Sequence, residues 1–218
     1  IPAFVSDYAL IIVSSTVASG DITKYRDIPV PLINWEYLAF DGLGMTDDEG
    51  FALAGQTDIE IVNAAHPLAA GLPAGAATLF SSASPQMAAG YPVASAAIIA
   101  NAVDGSGAAA LFALEKGAAL SANAGTGLTA PERRVGIFLG GDTFNLLNAT
   151  GLKLFDATVA WALHRSSLGA PPTVAITQPI PDATFPAGAN VTFEANTADA
   201  DGSVVKVEYF SGTNKIGE

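Results

Sequence analysis

The sequence predicts an α/β domain, built on a mostly parallel sheet with flanking helices, followed by part of an all-β sandwich. Three observations carry this expectation. Residues 9–13 form an unbroken apolar run rich in β-branched types, the pattern of a central parallel strand covered on both faces. Residues 150–164 repeat apolar side chains at helical spacing, with Leu152, Phe155, Val159, Ala162 and Leu163 on one face and Lys153, Asp156 and Arg165 away from it. After Pro172, residues 173–177, 190–195 and 204–210 alternate apolar and polar, with turn signals between them, as short strands of a sandwich do.

Taken in order, the strand over 8–13 stops at Ser14-Ser15-Thr16, where ligands sit in open α/β sheets, beyond the carboxyl ends of the strands. Ser19 is a suitable N-cap for a helical turn or two over 21–27. Pro29 and Pro31 lead into a short strand at Leu32-Ile33 that ends on Asn34-Trp35-Glu36. A short helix is predicted over 37–45, closed by Gly42 and Gly44, and an acidic loop follows at 47–50. Alternation over 57–63 predicts a half-exposed strand. Three more strands at 77–81, 95–101 and 108–114 are joined by Gly- and Ala-rich turns, which suggests antiparallel additions. A buried strand over 135–139 ends on Gly140-Gly141-Asp142 and precedes the helix. Composition shifts at Gly169 and the paired prolines, so the domains are read as 1–168, a linker over 169–172, and 173–218. The last segment is about half of the roughly 100 residues such a sandwich takes, and is therefore incomplete.

Composition narrows the function classes. Acidic residues outnumber basic ones 21 to 9, for a net charge of -12, and no basic patch offers phosphate contacts, so nucleic acid is not expected as a partner. No apolar run reaches the roughly 18 residues needed to cross a bilayer, and no membrane insertion is expected. There are 0 cysteines, which excludes a thiol nucleophile, a disulfide framework and a thiolate metal site. The chain opens at Ile1-Pro2 and closes at Lys215-Ile216-Gly217-Glu218, and a piece of a longer, multidomain polypeptide is expected.

Pro171-Pro172-Thr173-Val174-Ala175-Ile176 and the stretch Asp199-Ala200-Asp201-Gly202 running into Val204-Val205-Lys206-Val207-Glu208-Tyr209-Phe210 closely resemble a bacterial immunoglobulin-like domain. That resemblance implies a secreted or cell-surface bacterial protein. The first 165 residues resemble the class I glutamine-amidotransferase-like fold, in its trehalose-utilisation (ThuA-like) variant, with flavodoxin-like topology. The likeness rests on the apolar strand ending at Val13, on Pro29-Val30-Pro31-Leu32-Ile33-Asn34, on His66-Pro67-Leu68 with Gly71-Leu72, and on the closing strand and helix. An expected first βα unit has no counterpart before Ile1. The resemblance puts the amidotransferase nucleophile at Asn34, whose amide cannot attack, so amidotransfer is excluded. Gly140-Gly141-Asp142 also replaces a Gly-His pair common in ThuA-like sequences.

Candidate sites follow from residue types. Ser14 or Ser15, with His66 and Glu36 or Asp142, supplies the types of a hydrolytic triad, although neither serine sits in a Gly-x-Ser-x-Gly elbow. The competing reading has the hydroxyls capping the next turn and His66 bonding nearby backbone. Glu36 and Asp142 form a candidate carboxylate pair for glycoside hydrolysis. Asn34, Trp35 and Glu36 are candidates for lining a sugar site, with Trp35 as stacking platform or core residue. Asp199 and Asp201 resemble the start of a calcium loop but lack its downstream Glu, and a strand-joining turn explains them without metal. No cofactor is expected. The leading reading is a non-catalytic accessory or structural domain whose partners are other domains of the same polypeptide, with a glycan as a further partner. The alternatives are an extracellular hydrolase of carbohydrate or ester, and homo-assembly in which a neighbouring chain's strand completes the sandwich.

Overall fold

The computed structural model describes residues 7–165, 172–198 and 204–218. It divides into two compact units, residues 1–168 and 169–218.

The first unit is organised by a seven-stranded mixed sheet. In chain order its strands are β1 (Ile11–Val13), β2 (Leu32–Asn34), β4 (Asp58–Ile61), β5 (Gly75–Thr78), β7 (Ala97–Ala102), β8 (Ala109–Leu114) and β9 (Arg134–Ile137), and the spatial order is β1-β2-β9-β8-β7-β4-β5. A separate antiparallel pair, β3 (Phe51–Leu53) with β6 (Met87–Ala89), had no clear sequence signal, because all six residues are apolar or Ala. Only β1, β2 and β9 are parallel to one another; every other pairing in the sheet is antiparallel. The expectation of a mostly parallel sheet is thus corrected. Parallel neighbours need a long crossover, and the short turn over 103–108 can join β7 to β8 only as antiparallel neighbours.

A second correction concerns β1, which is an edge strand and not a central one. Among the described residues it pairs only with β2, and Ile12 is exposed while Val13 is buried. An apolar run reports burial averaged over its length and does not distinguish edge from centre.

Alternation across the sheet builds two cores. Leu32 and Ile33 are consecutive and so point to opposite faces, as do Leu111 and Phe112. Ile33, Leu111, Val135 and Ile137 pack with Leu154 and Trp161 of helix α2 (Ala149–Ala162). Leu32, Phe112, Leu114 and Val13 pack on the other face with Ile22, Phe40, Leu43 and Met45. All six residues of β8 are buried, consistent with its place at the middle of the sheet. In β4 the expected alternation is present: Ile59 and Ile61 are fully buried and Glu60 is exposed.

Helix α2 starts at Asn148, whose Oδ1 accepts from the N–H groups of Thr150 (2.9 Å) and Gly151 (3.0 Å). Its buried residues are Gly151, Leu154, Thr158, Ala160, Trp161 and Ala162. Of the predicted face, Ala162 is buried and Phe155 and Val159 pack on the core; Lys153, Asp156 and Arg165 are exposed as expected, and Leu152 alone departs by facing solvent. Gly151 lies so close to the chain that a Cβ there would stand 2.6 Å from the Leu79 carbonyl, which seats the helix on its glycine. Helix α1 (Ser19–Ile22) is one turn, continued by a 3-10 turn at Thr23–Tyr25. Ser19 is its first residue, not its cap; Ala18 holds that position. The helix expected over 37–45 is only a 3-10 turn, Tyr37–Ala39. Gly44 is left-handed (φ +72°), which ends any continuation.

The second unit consists, among its described residues, of two antiparallel hairpins. β10 (Thr173–Gln178) pairs with β11 (Glu194–Ala198), and β12 (Tyr209–Ser211) pairs with β13 (Asn214–Gly217). The second strand begins later than the alternation over 190–195 suggested, because Glu194 is the first residue opposite β10, at Gln178. Phe193 and Tyr209 bring their rings to 5.8 Å. Val174, Ile176, Ile180 and Phe210 remain more than half exposed.

Candidate functional site

The parallel strands β1 and β2 end side by side, with Val13 opposite Asn34 and Asn34 opposite Gly136 of β9. Most of the sequence-selected polar residues lie beyond these ends, and most are occupied by local hydrogen bonds. Asn34 is fully buried. Its Nδ2 donates to the Glu36 carbonyl (2.9 Å) and its Oδ1 accepts from the Glu36 N–H (3.0 Å), so one amide satisfies both backbone groups of the residue two positions on. Glu36 is 5% exposed and turns its Oε1 back to accept from the Leu38 N–H (3.2 Å), capping the 3-10 turn. Burial raises its carboxyl above the usual range, with the Leu38 N–H pulling the other way.

Ser14 Oγ and Thr16 Oγ1 bond one another at 2.7 Å, and the Ser14 carbonyl accepts from the Val17 N–H. Ser15 Oγ accepts from the Gly141 N–H at 2.6 Å, tying the loop after β1 to the loop after β9. The neighbouring Gly140 N–H donates to Thr143 Oγ1 (2.8 Å). Asp142 is solvent-exposed and makes no capping bond to the 3-10 turn at Thr143–Leu146. Glu36 and Asp142 therefore occupy opposite environments, one buried and one in water. Trp35 is half-buried and meets Phe155 edge-on, with ring centroids 6.4 Å apart.

His66 is elsewhere. It caps the 3-10 turn at Pro67–Ala69, its Nδ1 accepting from the Leu68 N–H (3.2 Å), and its ring lies 5.6 Å from that of Trp161. The other side of the Trp161 neighbourhood is Arg133, whose guanidinium stands 4.3 Å from the indole centroid and is paired with Glu115. Arg133 immediately precedes β9 and Glu115 immediately follows its antiparallel neighbour β8. His66 is thus at the end of the sheet where β9 begins, while Asn34 and Gly141 lie where the parallel strands finish. Desolvation lowers the His66 pKa, with Glu115 opposing and Arg133 reinforcing that shift. The structure brings Ser14, Ser15, Asn34, Glu36 and Asp142 toward one end of the sheet and leaves His66 at the other. Asp199 and Asp201 lie outside the described residues.

Residue types alone did not reveal Arg134. Its side chain is fully buried and donates to the carbonyls of Ile28 (2.7 Å), Val30 (2.8 Å) and Arg26 (3.1 Å), with further bonds to Glu132 and Arg133 carbonyls. Desolvation lowers its pKa to about 10. The signal was an arginine opening an otherwise apolar strand beside the Pro29-Val30-Pro31 segment, whose prolines offer carbonyls but no N–H.

Among the described residues, no group of three or more His, Asp or Glu is placed to hold a metal, and no helix is long and apolar enough to cross a membrane. No curated protein and no solved structure matches this chain. One family does, and its match covers the two hairpins and stops short of the seven-stranded unit: residues 172–218 match the bacterial Ig domain family.

Proposed function

We propose that this chain is a non-catalytic accessory or structural part of a larger secreted or cell-surface bacterial protein. In this reading, an amidotransferase-like α/β unit that has lost its catalytic apparatus precedes an Ig-like module, and its partners are other domains of the same polypeptide. The surface location is supported by the Ig match, since bacterial Ig domains are often carried by surface proteins. The amidotransferase likeness is supported by the parallel β1-β2-β9 core backed by α2.

The observation that carries the non-catalytic reading is the state of the strand-end residues. Asn34 spends its amide on the Glu36 backbone, Glu36 gives Oε1 to the Leu38 N–H, Ser15 is tied to Gly141, and the histidine a serine would need is at the other end of the sheet. Hydrolysis needs those groups convergent on one reacting atom. Incubation with a fluorophosphonate probe, followed by intact-mass measurement, tests this. No adduct is expected, and stoichiometric labelling of Ser14 or Ser15 would overturn the reading in favour of a hydrolase.

A second reading, homo-assembly through the Ig-like module, is favoured by the exposure of Val174 (66%) and Ile176 (60%), two same-face residues of β10. An Ig sandwich buries such a face against a second sheet. Light scattering across a concentration series separates the two readings: a constant monomer mass supports the first, and a concentration-dependent dimer or larger species supports the second.

A further inference from the structure

We draw no further inference here: the strongest candidate, the edge of β1 with the apolar groove lined by Leu10, Ile12, Val17 and Tyr25, has no partner strand on that side among the described residues, and nothing in the structure shows what covers it.

Discussion

His66 lies against Trp161, with ring centroids 5.6 Å apart, and this contact holds the imidazole at the end of the sheet remote from Asn34. Its Nδ1 is already an acceptor for the Leu68 N–H, so the ring is fixed in place as a cap. In the proposed reading a histidine so held acts on stability. Because burial lowers its pKa, the folded state disfavours the proton that the unfolded chain accepts. Stability is therefore expected to be constant above the unfolded value of about 6.5 and to fall as pH drops through it toward the lower folded value. Urea midpoints at pH 7.5 and pH 5.5 check this. His66→Ala should lower the midpoint at pH 7.5 and reduce the drop between the two.

Glu36 makes the opposite sign. Its folded carboxyl titrates above the unfolded one, so the charged form is penalised in the native state as pH rises through that interval. Glu36→Gln keeps an oxygen for the Leu38 N–H and removes the charge, and should leave stability at pH 7 unchanged or slightly higher. Glu36→Ala loses the cap and should cost about 1 kcal/mol. Chemical denaturation of the three proteins at one pH separates these outcomes.

Asn34 is expected to matter more than its size suggests. Asn34→Ala strips both bonds from the Glu36 backbone inside the protein, where an unsatisfied polar group costs about 1–3 kcal/mol. A loss of roughly 2–4 kcal/mol in unfolding free energy is expected for the pair of groups. Asn34→Asp keeps the acceptor for the Glu36 N–H but sets a second acceptor against the Glu36 carbonyl in a fully buried place, and should cost at least as much as alanine at pH 7.

Gly136 stands opposite Phe112 in the β8–β9 register, and a Cβ there would come within 2.3 Å of the phenyl ring. Gly136→Ala should destabilise by roughly 1–3 kcal/mol through overpacking. Combined with Phe112→Leu, the cost of the alanine should shrink, giving a non-additive double-mutant cycle.

Arg134 replaces the donors that Pro29 and Pro31 cannot provide, serving the carbonyls of Arg26, Ile28 and Val30. Arg134→Met preserves the packed stem and removes the fork, and should unfold at markedly lower denaturant, by about 3 kcal/mol or more. Arg134→Lys should rescue only part of this, because one ammonium cannot span three carbonyls.

Much of the fold was legible where a local pattern decides the outcome. The Ile59/Ile61 alternation, the long helix after Asn148 and the antiparallel strands behind Gly- and Ala-rich turns all follow from spacing. Their position within the sheet did not. The run ending at Val13 reads as central because it is apolar, yet its neighbours are set by how far the chain travels before it returns. The close seat of α2, with Gly151 against the Leu79 carbonyl, is a contact between segments about 70 residues apart in sequence. The site was legible in kind, as polar residues ending parallel strands. What could not be read was their occupancy: the Asn34 clamp on Glu36 and the Ser15–Gly141 bond are properties of loop geometry.

The most direct test of the non-catalytic account is turnover of chromogenic ester and glycoside substrates by the 218-residue chain beside Glu36→Gln, with thermal melts recorded for both. The account predicts rates at buffer background for both proteins and a melting temperature for Glu36→Gln at least equal to that of the parent. Saturable turnover by the parent that disappears in a normally folded Glu36→Gln would contradict it, and would place a working carboxyl at the end of β2.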